Sequence, residues 1–291
     1  MTLVRQSMKP PSTEFLDRIE RALKEAVAVL SQFVSGKVKA DRKPSDRSLI
    51  TEADRSVNRV LQKSLLRDQE GWLSEESTDD LTRLKMRRVW VVDPLDGTRE
   101  FVAGIPEWSI SVAMVEAGRV IAGGVCNPAT EEIFLGSIET GVTYNGKRVY
   151  ATRRNHLKGT VVLASRREVA CGQWARFQNA SFVIRPMGSV AYKLARVAAG
   201  LADATWTLNP KNEWDIAAGV ALVEAAGGYV QFLPNSRPAF NRRATVLPGL
   251  FACGPLLRDE ITTLLGSSAP APERGIPSIT RSMKTRSSDK R

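Results

Sequence analysis

Histidine is almost absent from this sequence: His156 is the only one among 291 residues. It stands in a polar stretch beside Arg153, Arg154 and Lys158, which is typical of a surface loop. A Ser-His-Asp or Cys-His catalytic apparatus would have to use this one residue, so the composition argues against such enzymes. A histidine-rich metal site is excluded. Any metal centre must use oxygen ligands, which favour Mg²⁺, Mn²⁺ or Ca²⁺ over Zn²⁺.

Cysteine and long apolar runs are also scarce. The three cysteines, Cys126, Cys171 and Cys253, are far apart and form no C-x-x-C pair, which argues against a disulfide framework and a thiolate zinc site. No apolar run reaches the roughly 20 residues needed to cross a bilayer, and the first residues lack the apolar segment of a secretory signal. We therefore expect no membrane partner and a cytoplasmic location.

The sequence carries an excess of positive charge, with a formal net charge of +11. Such a surplus suggests an anionic partner, either a nucleic acid, an acidic membrane surface or a phosphorylated small molecule. Part of the surplus lies after residue 265, and the basic pairs elsewhere lack interleaved aromatic residues for base stacking. We therefore expect nucleic acid to bind only non-specifically, through the C-terminal tail.

Hydrophobic periodicity divides the chain into four regions. We predict a flexible N-terminus over residues 1–12 and an N-terminal α+β lobe over 13–150. A C-terminal α/β lobe over 151–265 and a disordered basic tail over 266–291 follow. The first lobe opens with a predicted helix over 13–35, and polar residues 37–48 predict a mobile loop. Groups of antiparallel-looking strands between helix pairs indicate an α+β or a layered α/β class.

The strongest chemical signal is the run Val92-Asp93-Pro94-Leu95-Asp96-Gly97-Thr98. It follows an apolar strand candidate, Arg88 to Val92, and predicts a strand end that aims two carboxylates at one point. Gly97 permits a sharp turn, and Thr98 can begin a helix. Carboxylates attract a cation and a helix N-terminus attracts an anion, so a metal-bound phosphate would satisfy both. The alternative is a loop in which the aspartates only cap turns.

Other acidic residues stand at the ends of predicted elements. Glu75 follows a short strand candidate, Asp54 belongs to a Thr-x-x-Asp capping pattern, and Asp215 begins an alanine-rich helix. Each also has a purely structural interpretation, a solvated turn for Glu75 and a helix cap for the two aspartates. Gly188-Ser189, ahead of an apolar helix, is typical of either an N-cap or an anion site.

Taken in order, these segments resemble the inositol monophosphatase superfamily. The matching segments are Thr51-Glu52-Ala53-Asp54, Leu73-Ser74-Glu75-Glu76-Ser77, Asp93-Pro94-Leu95-Asp96-Gly97-Thr98, Gly188-Ser189, Trp214-Asp215-Ile216-Ala217-Ala218 and Gly227-Gly228. The resemblance covers roughly residues 13–265. It implies a layered α/β/α/β/α sandwich, a lithium-sensitive, Mg²⁺-dependent phosphatase that acts on small phosphate esters, and a homodimer.

The resemblance also implies a metal site with two or three Mg²⁺ ions. Glu75, Asp93 and the carbonyl of Leu95 would hold the first ion. Asp93, Asp96 and Asp215 would hold the second. Glu75 would in addition help to orient the attacking water. No nucleophilic serine or histidine is needed for this chemistry, which suits a chain with a single histidine.

Further roles are implied for residues around the metals. The amides of Gly97 and Thr98 would receive the phosphate, and the Thr98 hydroxyl would orient the same water. Asp54 would support catalysis from the outer shell of the metal site. Ser189 and Glu213 would contact the substrate.

The residues after the aspartate run favour one branch of the superfamily. Arg99-Glu100-Phe101 is similar to the Lys/Arg-Glu-Phe of 3'(2'),5'-bisphosphate nucleotidases of the CysQ type, whereas inositol monophosphatases usually carry Thr-Asn-Phe. We therefore expect hydrolysis of the 3'-phosphate of 3'-phosphoadenosine 5'-phosphate. Gly104-Ile105-Pro106-Glu107-Trp108 resembles the inositol branch as much, so an inositol-1-monophosphatase stays an alternative. A catalytically silent phosphate-binding relative is the second alternative, although every expected ligand acid is present.

Overall fold

A computed structural model describes residues 11–44, 48–233, 236 and 239–266. The segments predicted as a flexible N-terminus and a basic tail lie outside these residues, except for 11, 12 and 266, which are helical. The described residues form seven α-helices: α1 (Pro11–Leu30), α2 (Glu52–Leu65), α3 (Thr98–Ala103), α4 (Arg166–Ala170), α5 (Val190–Ala198), α6 (Glu213–Ala225) and α7 (Arg258–Gly266).

Sixteen strands accompany the helices in the described part of the chain. They are β1 (Ala40–Arg42), β2 (Leu49–Thr51), β3 (Glu70–Ser74), β4 (Arg88–Asp96), β5 (Ser109–Glu116), β6 (Arg119–Asn127), β7 (Glu132–Ser137), β8 (Gly141–Tyr144), β9 (Lys147–Val149), β10 (Val161–Ser165), β11 (Val183–Met187), β12 (Ala204–Thr207), β13 (Lys211–Asn212), β14 (Tyr229–Phe232), β15 (Val246–Leu247) and β16 (Leu250–Cys253). Strands β3 to β9 form a seven-stranded sheet in sequence order, and a five-stranded sheet has the order β11-β10-β12-β16-β14. The pairs β1-β2 and β13-β15 stand apart.

The layers follow the order predicted from the resemblance, so the α/β/α/β/α sandwich is confirmed. Helices α1 and α2 pack on one face of the seven-stranded sheet, while α5 and α6 pack on its other face. The same α5 and α6 contact the five-stranded sheet. The outer face of that sheet is covered by α4, which contacts β10 and β11, and by α7, which packs through Ile261 and Leu265.

The boundary predicted near residue 150 coincides with a change of sheet. All strands of the seven-stranded sheet precede it, and all strands of the five-stranded sheet follow it. One hydrophobic cluster nevertheless joins the two halves, with Val91 and Ala113 from the first and Leu163 and Ala217 from the second. The division into two lobes therefore stays a prediction, and the halves share a core.

Helix α6 lies between the two sheets, which explains why its sequence is apolar on every side. Its residues from Ile216 to Val223 are all buried. Small residues allow a close approach to β6: a Cβ on Gly123 would lie 2.7 Å from the carbonyl oxygen of Ala218. This tight packing fixes the start of α6, and with it the position of Asp215.

The aspartate run was predicted as the end of a strand over residues 88–92, and the structure places the run within that strand. Strand β4 continues to Asp96, and its pairing with β5 shifts register so that Asp93 lies opposite Ser111 and Asp96 opposite Ser109. Residues three apart on a regular strand point to opposite faces. The extra residue of this bulge places both carboxylates on the same side. Both line one cleft.

Part of the polar segment 37–48, which was predicted as a mobile loop, forms a strand. This strand, β1, pairs antiparallel with β2, with Ala40 opposite Thr51 and Arg42 opposite Leu49. Residues 45–47 lie outside the described part. The amide of Lys43, one residue beyond β1, donates a hydrogen bond of 2.9 Å to the carbonyl oxygen of Ser48, which holds Lys43 close to the start of α2.

Helix α1 is the longest in the described chain, with 20 residues. It begins two residues before its predicted start and ends at Leu30 rather than residue 35. The amides of Gln32 and Phe33 there bond three residues back, to Val29 and Leu30, which closes the helix in a tighter turn. One face, with Ile19 and Leu23, packs into the core, and the other is charged. No helix of the described residues is both long and apolar enough to cross a membrane.

The contact between α5 and α6 gives a first testable prediction. A Cβ on Gly219 of α6 would lie only 2.4 Å from the Cβ of Leu194 on α5. We expect Gly219→Ala to force the helices apart and to destabilise the protein by about 1–3 kcal/mol, more than the gain in helix propensity returns. Thermal denaturation of Gly266→Ala is the control, since nothing lies within 4 Å of that position. Equal melting temperatures for the two variants would contradict this account of the packing.

Candidate active site

A cleft of about 360 Å³ collects nearly all the predicted site residues. Those that line it are Glu75, Asp93, Leu95, Asp96, Gly97, Thr98, Ser189 and Asp215. Two other cavities of the described chain, of about 380 and 410 Å³, are as large but hold no such group of acids. The charge of the cleft, and not its size, marks it as the candidate active site.

Three carboxylates meet at one end of the cleft. Oxygen atoms of Glu75, Asp93 and Asp215 all lie within 4.8 Å of one another. Strands β3 and β4 are parallel neighbours, so Glu75, just after β3, is brought beside Asp93. Asp215 comes from the first turn of α6, where its Oδ2 also accepts a hydrogen bond of 3.0 Å from the amide of Asn212. The helix-cap interpretation and the ligand interpretation of Asp215 are therefore compatible.

The electrostatics of this end favour a cation. Burial, followed by the nearby carboxylates, raises the pKa of Asp93 well above its usual range. The same two causes raise the pKa of Asp215. Three acids held together by separate elements repel one another unless a positive charge lies between them. Clustered carboxylate oxygens are the ligands that Mg²⁺ and related hard cations prefer, so these residues fit a divalent metal.

Asp96 stands beside this group and is fixed from behind. Its Oδ2 accepts hydrogen bonds of 2.7 Å from the Ser189 hydroxyl and from the amide of Ala191, at the start of α5. Burial raises the pKa of Asp96, while these hydrogen bonds act in the opposite sense. Its Oδ1 has no hydrogen-bond partner among the described residues. Ser189, predicted as a substrate contact, thus reaches the cleft wall with its hydroxyl engaged by Asp96.

Thr98 and Asp54 form a second layer behind the aspartates. The Thr98 hydroxyl lies 3.0 Å from Asp54 Oδ1 and 3.1 Å from the carbonyl oxygen of Leu95, so it can donate to either. Asp54 is buried, and its Oδ2 accepts from the amide and hydroxyl of Thr51 at 2.8 and 2.6 Å. The capping box predicted here therefore exists, and it positions Asp54 to orient Thr98.

Glu213 was predicted as a substrate contact, but the structure does not bring it to the cleft. Its side chain is fully buried and accepts hydrogen bonds from the amides of Asn241 and Arg242, at 2.6 and 2.9 Å. It is absent from the residues that line the cleft. Glu213 thus fixes a backbone segment, because side chains two residues apart on a helix, such as Glu213 and Asp215, point to nearly opposite sides.

Sequence reasoning missed Lys43, which lies at the acidic end. Its Nζ is 2.6 Å from Glu75 Oε1 and 2.6 Å from Glu76 Oε1. Burial alone would lower the pKa of Lys43, but the two carboxylates outweigh burial and raise it. For Glu76, burial raises the pKa to about 7, although the charge of Lys43 acts to lower it. Lys43 supplies one positive charge to the acidic end of the cleft. No motif in the polar segment 37–48 predicts that role.

A mainly basic part of the cleft lining was missed as well; this basic wall comprises Lys193, Arg166, Arg167 and Lys211, with the acid Glu100 among them. Lys193 on α5 is buried, and its Nζ contacts the carbonyl oxygens of Met187, Gly188 and Ser189 at 2.9 to 3.4 Å. Burial lowers the pKa of Lys193 to about 8, against the attraction of the Asp96 carboxylate. The hydrophobic periodicity of this segment predicted an apolar helix. A single lysine within that helix did not indicate a role in the cleft.

Arg166 belongs to the same wall and is anchored by an acid. Its guanidinium lies 2.5 Å from Glu107 Oε2, which also accepts a hydrogen bond of 2.8 Å from the amide of Gly188. Glu107 therefore joins three segments around the cleft: the turn after α3, the start of α4 and the turn before α5. Its position in the segment 104–108, which resembled both branches, gave no hint of this contact.

Comparison with known proteins agrees with this geometry. Residues 12–262 match the model of the inositol monophosphatase family. A relative from Thermotoga maritima, named fructose-1,6-bisphosphatase/inositol-1-monophosphatase, is 32% identical over 259 residues, covering 86% of this chain and 96% of that protein. The structure of a Thermotoga maritima IMPase has a TM-score of 0.76 and 29% identity, covering 87% of this chain and 97% of that one. CysQ from Bacteroides thetaiotaomicron has a TM-score of 0.69 at 24% identity, over 83% and 97% of the two chains, and shares the fold.

The layered fold and the acid-lined cleft are those of a phosphoric monoester hydrolase. The chain belongs to the inositol monophosphatase family, whose members are generally Mg²⁺-dependent. The family resemblance found in the sequence is thereby confirmed.

Proposed function

We propose that the chain hydrolyses the 3'-phosphate of 3'-phosphoadenosine 5'-phosphate with the help of two or three Mg²⁺ ions. The observation that carries this proposal is the group of Glu75, Asp93 and Asp215, whose oxygens lie within 4.8 Å of one another. It stands in a cleft whose other wall is basic. Such a cleft suits a substrate that is anionic at more than one position.

Each acid has a distinct task in this proposal. Glu75, Asp93 and the Leu95 carbonyl would hold one ion, and Asp93, Asp96 and Asp215 a second. Bound there, divalent cations would lower the pKa of water and neutralise charge on the entering and leaving oxygens. Asp96 is pre-oriented by Ser189 and Ala191, so its ligand geometry costs little to maintain.

The chain's own groups would position the reactants. The amides of Gly97 and Thr98 would receive phosphate oxygens. The Thr98 hydroxyl, held 3.0 Å from Asp54, would share with Glu75 the orientation of the attacking water. An attack on phosphorus needs mainly such positioning and charge neutralisation from the protein. The leaving sugar oxygen would depart towards the basic side of the cleft.

An inositol-1-monophosphatase activity of the same site is the second candidate. The Thermotoga maritima relative is named for this activity together with that of a bisphosphatase, and the match to this chain covers 96% of its length. The sugar and inositol esters named there share one phosphomonoester chemistry. The acidic end of the cleft suits both substrates, and the basic wall favours the one with a second phosphate.

Phosphate release from two substrates tests the choice. We would measure kcat/KM at fixed Mg²⁺ for 3'-phosphoadenosine 5'-phosphate and for inositol 1-phosphate, with Asp93→Asn purified in parallel to exclude a contaminating phosphatase. We expect the nucleotide to be hydrolysed at least tenfold more efficiently. The reverse preference would assign the inositol activity to the same site. No release from either by a folded protein would identify a catalytically silent relative.

A further inference from the structure

The cleft continues into a side pocket on its basic side. This pocket has a volume of about 360 Å³ and shares Ser165, Arg167, Pro210 and Lys211 with the cleft lining, so the two spaces open into each other. Its remaining walls include Gln173 and Asn209, whose side-chain amides are hydrogen-bonded at 2.7 Å. The buried carboxylate of Glu168 also lines the pocket, where it accepts a hydrogen bond of 2.8 Å from the Asn209 amide. The pocket is therefore polar, and it extends away from the three clustered acids.

Two of the cleft's basic side chains stand at this junction without a counter-charge. Arg166 is paired with Glu107, and Lys193 is enclosed by carbonyl oxygens. By contrast, neither Arg167 nor Lys211 has a carboxylate oxygen within 4.0 Å among the residues that the structure describes. Lys211 is half-buried, and a charge in that position without a protein partner is available for an anion from outside.

Lys211 is held in place by its backbone. It begins β13, which pairs antiparallel with β15 through Leu247. Burial and the neighbouring acids raise the pKa of Asp215, while the charge of Lys211 acts to lower it. Lys211 therefore interacts electrostatically with the acidic end of the cleft. Lys211 lies four residues before Asp215, at the boundary between the two ends of the cleft. Arg167, by contrast, is exposed at the start of α4.

The charge balance of the cleft indicates what such a pair would bind. Five acidic and five basic side chains line it. Divalent cations at the acids would leave the cleft with a positive excess, of which one phosphate monoester removes only part. A second phosphate on the same substrate would complete the balance on the basic side. A neutral polyol ring would leave Lys211 and Arg167 without a partner.

We propose that Lys211 and Arg167 form a subsite for a second phosphate of the substrate, so that the chain selects esters with an anionic group beyond the scissile one. The inference rests on the proposed phosphatase function and adds to it the residues that distinguish substrates with a second phosphate from those without one. Lys211 is the principal contact, because its position is fixed by strand pairing. Arg167 closes the mouth of the side pocket. The two residues act on substrate binding and take no part in the chemical step.

Two nucleotides that differ only in the second phosphate provide the test. We would compare kcat/KM for 3'-phosphoadenosine 5'-phosphate and adenosine 3'-monophosphate in the wild type, Lys211→Met, Lys211→Arg and Arg167→Gln. We expect the wild type to prefer the bisphosphate at least tenfold. Lys211→Met should reduce that ratio at least fivefold, chiefly through KM, and Lys211→Arg should retain most of it. Arg167→Gln should lower the ratio two- to fivefold. Lys158→Gln, an exposed site outside the cleft, should leave it unchanged.

The outcomes separate this inference from the proposed function. Equal kcat/KM for the two nucleotides in an active wild type would overturn the subsite and leave the phosphatase intact. An equal loss in kcat on both nucleotides in Lys211→Met would show that Lys211 acts through Asp215 and would also overturn it. Titration calorimetry in EDTA repeats the comparison without turnover. There the bisphosphate should bind the wild type at least fivefold more tightly, and equal affinities, or no measurable heat from either, would count against the subsite.

Discussion

Asp93→Asn is expected to lower kcat/KM by about three orders of magnitude while making the metal-free protein more stable. Asp93 is buried and belongs to the group of three carboxylates within 4.8 Å. The amide keeps the shape of the side chain but loses the charge that would hold a cation. Charge stabilisation worth several kcal/mol would go with it, and each 1.36 kcal/mol is about a factor of ten in rate.

The gain in stability has the same origin as the loss of activity. Burial and the carboxylates of Glu75, Asp96 and Asp215 raise the pKa of Asp93, so its charge is unfavourable in the folded metal-free protein. Removing that charge removes the repulsion. The measurement is phosphate release with Mg²⁺, together with thermal denaturation in EDTA at pH 8.

A matched variant separates this effect from general damage. Asp68→Asn changes an exposed acid outside the cleft and should alter neither quantity. If Asp93→Asn lowered both activity and metal-free stability, the carboxylate would be a structural group, and the metal site would have to be placed elsewhere. Opposite changes in the two quantities cannot result from misfolding.

The metal-free protein is expected to lose stability as the pH rises from 5 to 8, and Mg²⁺ should abolish that loss. The folded-state pKa values of Asp93, Asp96 and Asp215 are raised, chiefly by burial, above the roughly 3.9 of an unfolded aspartate. Between the two values the folded protein binds more protons than the unfolded chain. The free energy of unfolding therefore falls with rising pH through this window. Burial also raises the pKa of Glu76, to about 7, which acts with the same sign.

The size of the effect follows from the number of acids. If the clustered aspartates together contribute about 3 kcal/mol, the melting temperature in EDTA should fall by about 6–12 °C for a chain of this length. Saturating Mg²⁺ should add about 3 kcal/mol at a hundred times its dissociation constant and flatten the curve. Thermal denaturation at several pH values, with EDTA or with Mg²⁺, gives both numbers.

Asp93→Asn is the internal control for this experiment as well. It should weaken the pH dependence in EDTA, since one of the coupled acids no longer titrates. A flat profile in EDTA for the wild type would show that the acids are not repelling one another, and the electrostatic argument for a cation would fail.

Local sequence patterns predicted most elements near the site because their causes are local. The capping pair of Thr51 and Asp54 starts α2 through hydrogen bonds between residues three apart. Ser189 caps α5 in the same way: its hydroxyl oxygen accepts a hydrogen bond of 3.0 Å from the amide of Tyr192. Strand β3 lies where the short strand candidate before Glu75 was predicted, since its apolar pattern ends at a polar turn. Such features need no knowledge of the rest of the chain.

The aspartate run shows where local reasoning stopped. The strand was predicted to end at Val92, since Pro94 and Gly97 are typical of turns, whereas β4 continues to Asp96. Pairing with β5 keeps the run in the sheet, and the bulge between Asp93 and Asp96 absorbs the irregularity. A neighbouring strand that begins 13 residues after Asp96 therefore decided the direction of both carboxylates.

By itself, the sequence determined the class of the protein. A single histidine, a set of acids at the ends of strands and helices, and their order identified an oxygen-ligand phosphatase site, because residue types limit the chemistry that is possible. Only the tertiary structure decided which charges meet. It turned Glu213 away from the cleft, brought Lys43 to Glu75 and placed Lys211 and Arg167 at the mouth of the side pocket. These contacts join residues distant in sequence, and the packing of two sheets around α5 and α6, not any local pattern, sets their distances.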